Sequence, residues 1–241
     1  MTKLSDKLRK WKRSACSAVV VAGGSSVRMG EDKLFLDLEG IPVLARTLRA
    51  LNDCSCVDEI VLVSREDTLE KCAKLCHDYQ ITKAVKVVIG GKSRTESALA
   101  GLTQIRSDAR IVLIHDGARP LVTEKVVESV VHAALLYKNA APSVSLNDTV
   151  KEAEGDTVVR TLDRSRLAAI QTPQAFVPDL VKAALTAAVK NGKKYTDDCA
   201  AVEAMGVPTH LSEGDPENIK ITRPLDLELA AAIIRKRQAN G

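Results

Sequence analysis

Two positive side chains stand close behind a double glycine in the stretch "VVVAGGSSVRMGEDK", where Ala22, Gly23 and Gly24 end a short apolar run and Arg28 and Lys33 follow. Glycines let the backbone approach a ligand closely, and successive N–H groups in such a loop form a concavity that attracts anions. With two full charges added, the arrangement suits a phosphate chain better than a neutral ligand. The plainer alternative is a surface loop with two solvated cations. A second group, "HDGARP", places Asp116 and Arg119 at the end of another apolar run. Asp116 there suits a hard cation such as Mg2+, which takes one or two carboxylates plus substrate phosphates, or else a turn capped against Arg119.

Other chemistries are excluded by spacing. A dinucleotide fingerprint needs G-x-G-x-x-G, and "GGSSVRMG" does not supply it. A P-loop needs G-x-x-x-x-G-K-[ST]; Gly91, Lys92 and Ser93 provide its end, but position 86 is Lys. Hydride transfer and ATP hydrolysis are therefore not indicated. No serine–histidine–acid arrangement can be argued either. His77 and His132 fall on helical patterns, His115 in a strand and His210 near a proline turn, all positions that suit structural roles.

These groups must be positioned by the elements between them. Short runs rich in Val and Ile at Ala18–Ala22, Glu59–Ser64, Val85–Ile89, Arg110–His115 and Pro142–Leu146 predict strands. Helical patterns occupy Pro42–Leu51, Glu66–Tyr79, Ser93–Ile105 and Thr123–Tyr137. In the last, Val126, Val130 and Ala134 form one row and Val127, Val131 and Leu135 the next, a core-facing stripe. Strands alternating with helices predict an α/β fold, a mostly parallel twisted sheet with helices on both faces, whose ligands bind beyond the carboxyl ends of the strands. Both candidate groups fall at such ends. Residues 147–170 break the rhythm, alternating Val with polar residues around Glu154–Gly155–Asp156. They predict a projecting β-hairpin arm, which is marginal alone and packs most economically on a second copy of the chain. Further on, helices are expected at Pro178–Lys190, near Asp197–Met205 and from Pro224, with a strand at Asn218–Thr222.

Composition bounds the answer. Of 241 residues, 45% are hydrophobic and 27% charged, an ordinary globular balance with no apolar run long enough to span a membrane. The net charge of +4 is uneven: the first 16 residues carry +5 and the remainder −1. That balance, with 2% aromatic residues, argues against a nucleic-acid face. The reading is a basic N-terminal extension over residues 1–16 and a single domain over 17–241. Leu4, Leu8 and Trp11 of the extension would form one face of a basic amphipathic helix, reading as a membrane-surface or partner contact; the alternative is a frayed terminus or a helix lying on its own domain. No secretory leader is legible, and the six cysteines read as reduced thiols of a cytoplasmic protein. Cys72, Cys76 and His77 lack a second pair at zinc spacing.

With these residues in view, the chain from about Ser17 onward resembles the 2-C-methyl-D-erythritol 4-phosphate cytidylyltransferases of the non-mevalonate isoprenoid pathway. The likeness rests on "AGGSSVRMG" with Lys33, "GGKSRTESALAGL", "HDGARP", "DTVK", "TLDRSRL", "QTPQAF", "YTDDCA" and "NIKITRP", in the family's order and spacing. It implies a Rossmann-like nucleotidyltransferase fold, CTP and a polyol phosphate as substrates, Mg2+ as cofactor, and a homodimer joined through the arm. By the same resemblance, Ala22, Gly23, Gly24, Gly91, Arg94 and Ser97 bind the nucleotide, and Arg28 and Lys33 stabilise the transition state. Asp116 serves metal and substrate. Arg119, Thr149, Arg164, Thr172 and Lys220 surround the acceptor, with Arg164 and Lys220 positioning it for attack and Thr149 and Arg164 reaching the partner's site. The chain departs from the family where Asp32 replaces a frequent proline, Leu34 a glutamine and Gly117 an alanine, and where Lys92 stands at a position that can be acidic. A ribitol 5-phosphate cytidylyltransferase shares the scaffold, though "HDGARP" with "LDRSRL" favours the methylerythritol enzyme. A non-catalytic nucleotide-binding module fits less well with the set of charged residues retained.

Overall fold

Three strands buried along nearly their whole length form the centre of the molecule: β1 (Cys16–Val21), β4 (Glu59–Ser64) and β6 (Ile111–Asp116). Their near-continuous apolar sequences suit a sheet covered on both faces. A computed structural model describes residues 15–24 and 32–239. All of the basic extension except Ala15 and Cys16, including the face expected of Leu4, Leu8 and Trp11, lies outside the described residues. β1 pairs in parallel with β4 on one side and β6 on the other, and β4 continues to β5 (Ala84–Ile89). Beyond β6 lie β11 (Gln174–Phe176), antiparallel, then β7 (Asn139–Ser145), which pairs with antiparallel β10 (Ala168–Ile170) and parallel β12 (His210–Glu213). Among the described residues the main sheet has eight strands in a mostly parallel arrangement.

Alternation along each strand splits the core in two. Ala18, Val20, Ile60, Leu62, Ile111 and Leu113 face one side and meet α1 (Val43–Asp53), α2 (Leu69–Asp78) and α4 (Glu124–Tyr137). Val19, Val63, Val112 and Ile114 face the other and meet α3 (Arg94–Leu102), α5 (Pro178–Lys190) and α6 (Asp198–Glu203). The expected stripe of α4 is the buried one: Val126, Val127, Val130, Val131 and Ala134 are in the core and Leu135 packs against it. Cys72 and Cys76 are buried in the same layer. A third cluster seats α7 (Pro224–Ala239) through Ala230, Ile233 and Ile234 against Leu38, Val43, Leu121 and Ile221, near the small hairpin of β2 (Asp37–Leu38) and β3 (Ile41–Pro42).

The arm is present as β8 (Lys151–Glu154) and β9 (Thr157–Thr161), every residue of which is exposed. Two expectations change. Asn218–Thr222 forms no strand: Ile221 is buried and its N–H bonds the Ala118 carbonyl, tying the segment to the loop after β6 rather than to a ladder. In its place β12 begins at His210, whose ring stacks on Tyr137 at 3.7 Å.

Gly101 marks where α3 presses closest to the sheet. A Cβ there would lie 2.4 Å from Val19 Cγ1 and 2.8 Å from Val63 Cγ2, both on rigid central strands. Overpacking of this kind costs about 1–3 kcal/mol, which exceeds the ~1 kcal/mol that alanine gains in a helix. Gly101→Ala is expected to lower the denaturant midpoint; an unchanged or higher midpoint contradicts the packing described.

Candidate active site

Strand β6 ends on Asp116, and the register pairs it with Val21, the last residue of β1. The two glycine-rich and acidic groups therefore share one end of the sheet. Asp116 is 8% exposed and three cations converge on it. Lys220 Nζ lies 2.8 Å from Oδ2, Arg94 3.5 Å from Oδ1 and the Arg119 Nε 3.8 Å from Oδ2. Burial alone would push the carboxyl up, but the charges of Arg94, Lys220 and Arg119 outweigh it and hold the group well below the usual carboxylate range. It stays ionised at neutral pH.

The cations are themselves anchored. Arg94 opens α3, whose N-terminus is set by a capping box in which Ser93 accepts from the Glu96 N–H and Glu96 accepts from the Ser93 N–H. A Cβ on Gly91 would fall 2.2 Å from Glu96 Cβ, so this turn needs glycine. Arg94 also pairs at 2.6 Å with Asp198, which is buried on α6. The Asp198 N–H and its neighbour's donate to Gln174 Oε1, and Gln174 donates to Asp197. Arg119 donates to the Asn218 carbonyl at 2.7 Å. Asn218 in turn donates to the Thr172 carbonyl.

Behind Asp116, His115 is fully buried. Its Nε2 lies 3.2 Å from the Arg119 carbonyl, which can only accept, so Nε2 carries the proton. Its Nδ1 then accepts from the Thr172 hydroxyl at 3.0 Å, and that oxygen accepts from the Asp116 N–H at 3.1 Å. Burial pushes the His115 pKa down to about 4, against the pull of Asp116. The imidazole is a neutral brace for the loop from Asp116 to Arg119.

In front of Asp116 opens a cleft of about 340 Å³. Of the residues named from sequence, Ala22, Gly23, Gly24, Lys33, Gly91, Arg94, Ser97, Asp116 and Lys220 line it. The Ser97 hydroxyl bonds the Ser93 carbonyl at 2.8 Å. Arg119 and Thr172 brace its floor from behind. Thr149 and Arg164 do not line it within one chain; both are exposed at the base of the arm, where Arg164 donates to the Asn147 carbonyl. Arg28 lies outside the described residues. Sequence reasoning assigned nothing to Asp198 and Asn218, whose contacts join residues far apart in the chain; to His115 it gave only a structural place. Nor did it assign a role to Lys92, a further cation on the rim.

A mostly parallel sheet with a glycine-lined, cation-rich cleft beyond its carboxyl edge is here the fold and site of a nucleotidyltransferase. More narrowly, residues 16–236 match the family model IspD, 2-C-methyl-D-erythritol 4-phosphate cytidylyltransferase, and the chain belongs to that family. It is 41% identical over 224 residues to the enzyme of that name from Caldanaerobacter subterraneus subsp. tengcongensis, covering 91% of this chain and 99% of the relative. It is 40% identical over 224 residues to that from Halalkalibacterium halodurans, covering 92% and 98%. Among solved structures it is similar to the 4-diphosphocytidyl-2C-methyl-D-erythritol synthase of Anaerococcus prevotii, with a TM-score of 0.81, 29% identity and coverage of 92% and 99%. The Thermus thermophilus cytidylyltransferase gives a TM-score of 0.75 at 31% identity, covering 90% of this chain and 98% of that one.

The His115 brace has a pH signature. Its pKa is depressed from an ordinary 6.5 to about 4 in the folded chain. The unfolded state therefore binds the proton first, and stability is lost as pH falls from about 6.5 toward 4, by up to roughly 3 kcal/mol. Thermal melts of the wild type are expected to decline across that window and those of His115→Gln to decline less. Parallel slopes for the two proteins contradict a neutral buried imidazole.

Proposed function

We propose that this chain transfers the cytidylyl group of CTP to 2-C-methyl-D-erythritol 4-phosphate, giving 4-diphosphocytidyl-2-C-methyl-D-erythritol and diphosphate. The observation that carries the reading is the cleft itself: Lys33, Lys92, Arg94 and Lys220 gathered around glycine backbone at the ends of β1 and β6, in a chain of this family. Such a set is suited to a triphosphate and an acceptor phosphate together.

In this reading Ala22, Gly23, Gly24, Gly91, Arg94 and Ser97 hold the nucleotide, and Arg28 and Lys33 act on its phosphates. Asp116, Arg119, Thr172 and Lys220 receive the acceptor, with Thr149 and Arg164 supplied by a second copy. An acceptor phosphate oxygen attacks the α-phosphorus, a new P–O bond forms in line with the bond to the β-phosphate, and diphosphate departs. The attacking monoester has a second pKa of about 6, so it is ionised near neutral pH and needs no general base. Neutral His115, turned to Thr172 and Arg119, is consistent with that economy. What the side chains supply is alignment and charge neutralisation.

Mg2+, when bound, would neutralise charge on the nucleotide phosphates. Among the described residues no group of three or more metal-ligating side chains exists, so the protein offers Asp116 as a single ionised carboxylate, which suits an ion held otherwise by phosphates and water. The arm supports a homodimer, because Val158 and Val159 on β9 are 55% and 53% exposed. A cytoplasmic location completes the reading; among the described residues no helix is long and apolar enough to cross a membrane.

Diphosphate release from CTP is expected with methylerythritol phosphate and not with ribitol 5-phosphate. A preference for ribitol phosphate, or no release with either, overturns the assignment. Lys33→Ala and Arg28→Ala are each expected to lower turnover about 100- to 1000-fold with the melting temperature unchanged. Near-normal turnover in either variant removes its assigned role.

A further inference from the structure

The nucleotide cleft has two walls that flank residues 25–31, which lie outside the described residues. One is the backbone at Gly23 and Gly24 after β1; the other is the turn Lys33–Phe35, entered through Asp32, whose carboxylate accepts from the Leu34 N–H at 3.2 Å. The Arg65 side chain touches both. Arg65 follows directly on β4, and its Nη1 donates to the Gly24 carbonyl at 3.2 Å while Nη2 lies 2.9 Å from Asp32 Oδ2. Its remaining face is fixed by Asp67, which accepts from Nε at 2.9 Å and from Nη2 at 3.2 Å. The planar guanidinium has the fork geometry to serve all three partners at once, and an ammonium does not.

We infer that Arg65 is a positioning residue that sets the distance between Gly24 and Lys33, and so the width of the nucleotide cleft. Arg65 is rooted at the end of β4, a central strand buried along its whole length. Asp32 stands where the family often has proline; here the turn before Lys33 is held by an ion pair instead. The inference rests on the functional reading above for the identity of the nucleotide.

Three variants separate positioning from plain charge. Arg65→Gln removes the bridge, Arg65→Lys keeps the charge without the fork, and Asp32→Asn removes an anion close to where the triphosphate would lie. Calorimetry with CTP alone and steady-state kinetics are read together. Loss of hydrogen bonds to charged groups predicts a rise in the CTP dissociation constant of about 10- to 100-fold for Arg65→Gln, and a rise of the same sign for the other two. The KM for the polyol phosphate and the melting temperature are expected to stay at wild-type values. Rescue by Arg65→Lys, or tighter CTP binding by Asp32→Asn, shows that charge alone matters and overturns the inference. Wild-type turnover with unchanged CTP affinity in all three variants also overturns it. Absence of wild-type turnover instead strikes the assigned activity, while the CTP affinities still decide the role of Arg65.

Discussion

A buried, ionised carboxylate is costly unless cations meet it, and Asp116 is met by three. Each comes from a different part of the chain: Arg94 from the start of α3, Arg119 from the loop after β6, Lys220 from the segment before α7. Their common partner is what keeps like charges together at the cleft. Without Asp116, Arg94, Arg119 and Lys220 would repel one another and the segments carrying them would have reason to separate. The site is thus a balance of opposite charges that an anionic substrate can share.

The surrounding structure holds that balance in place. Arg94 is gripped on its far side by Asp198, itself set by Gln174 of β11, and Arg119 by the Asn218 carbonyl. His115 and Thr172 link the end of β6 to the segment before β11 through neutral hydrogen bonds. The antiparallel strand β11 therefore does more than extend the sheet. It delivers the residues that pin the floor of the cleft from the side opposite β1.

Much of this was legible in the sequence, for physical reasons. The central strands are near-continuously apolar because both faces are covered, and their ends carry the glycines and the acid that chemistry needs. The arm was readable because its alternation has no core to serve. Strands β10 and β11 have three residues each and carry too little pattern to be seen. Asn218–Thr222 has strand-like alternation, yet its burial comes from Asn218 bonding Thr172 and from Ile221 facing the third core cluster, and its backbone is used by the loop at Ala118. Long-range pairs left no local trace: Arg94 and Asp198 are 104 residues apart, Arg65 and Gly24 are 41. Such partners emerge only when the sheet brings strand ends together.

The claim most open to direct measurement is the charge state of Asp116. Carbon-13 detected NMR of the free protein, following the Asp116 side-chain carboxyl through an acid titration, reads it without substrate or metal. The Asp116 carboxylate is expected to remain ionised well below the ordinary aspartate midpoint of about 3.9. A midpoint at or above that value would show that Arg94, Arg119 and Lys220 do not hold it as described, and the site would need another organising interaction.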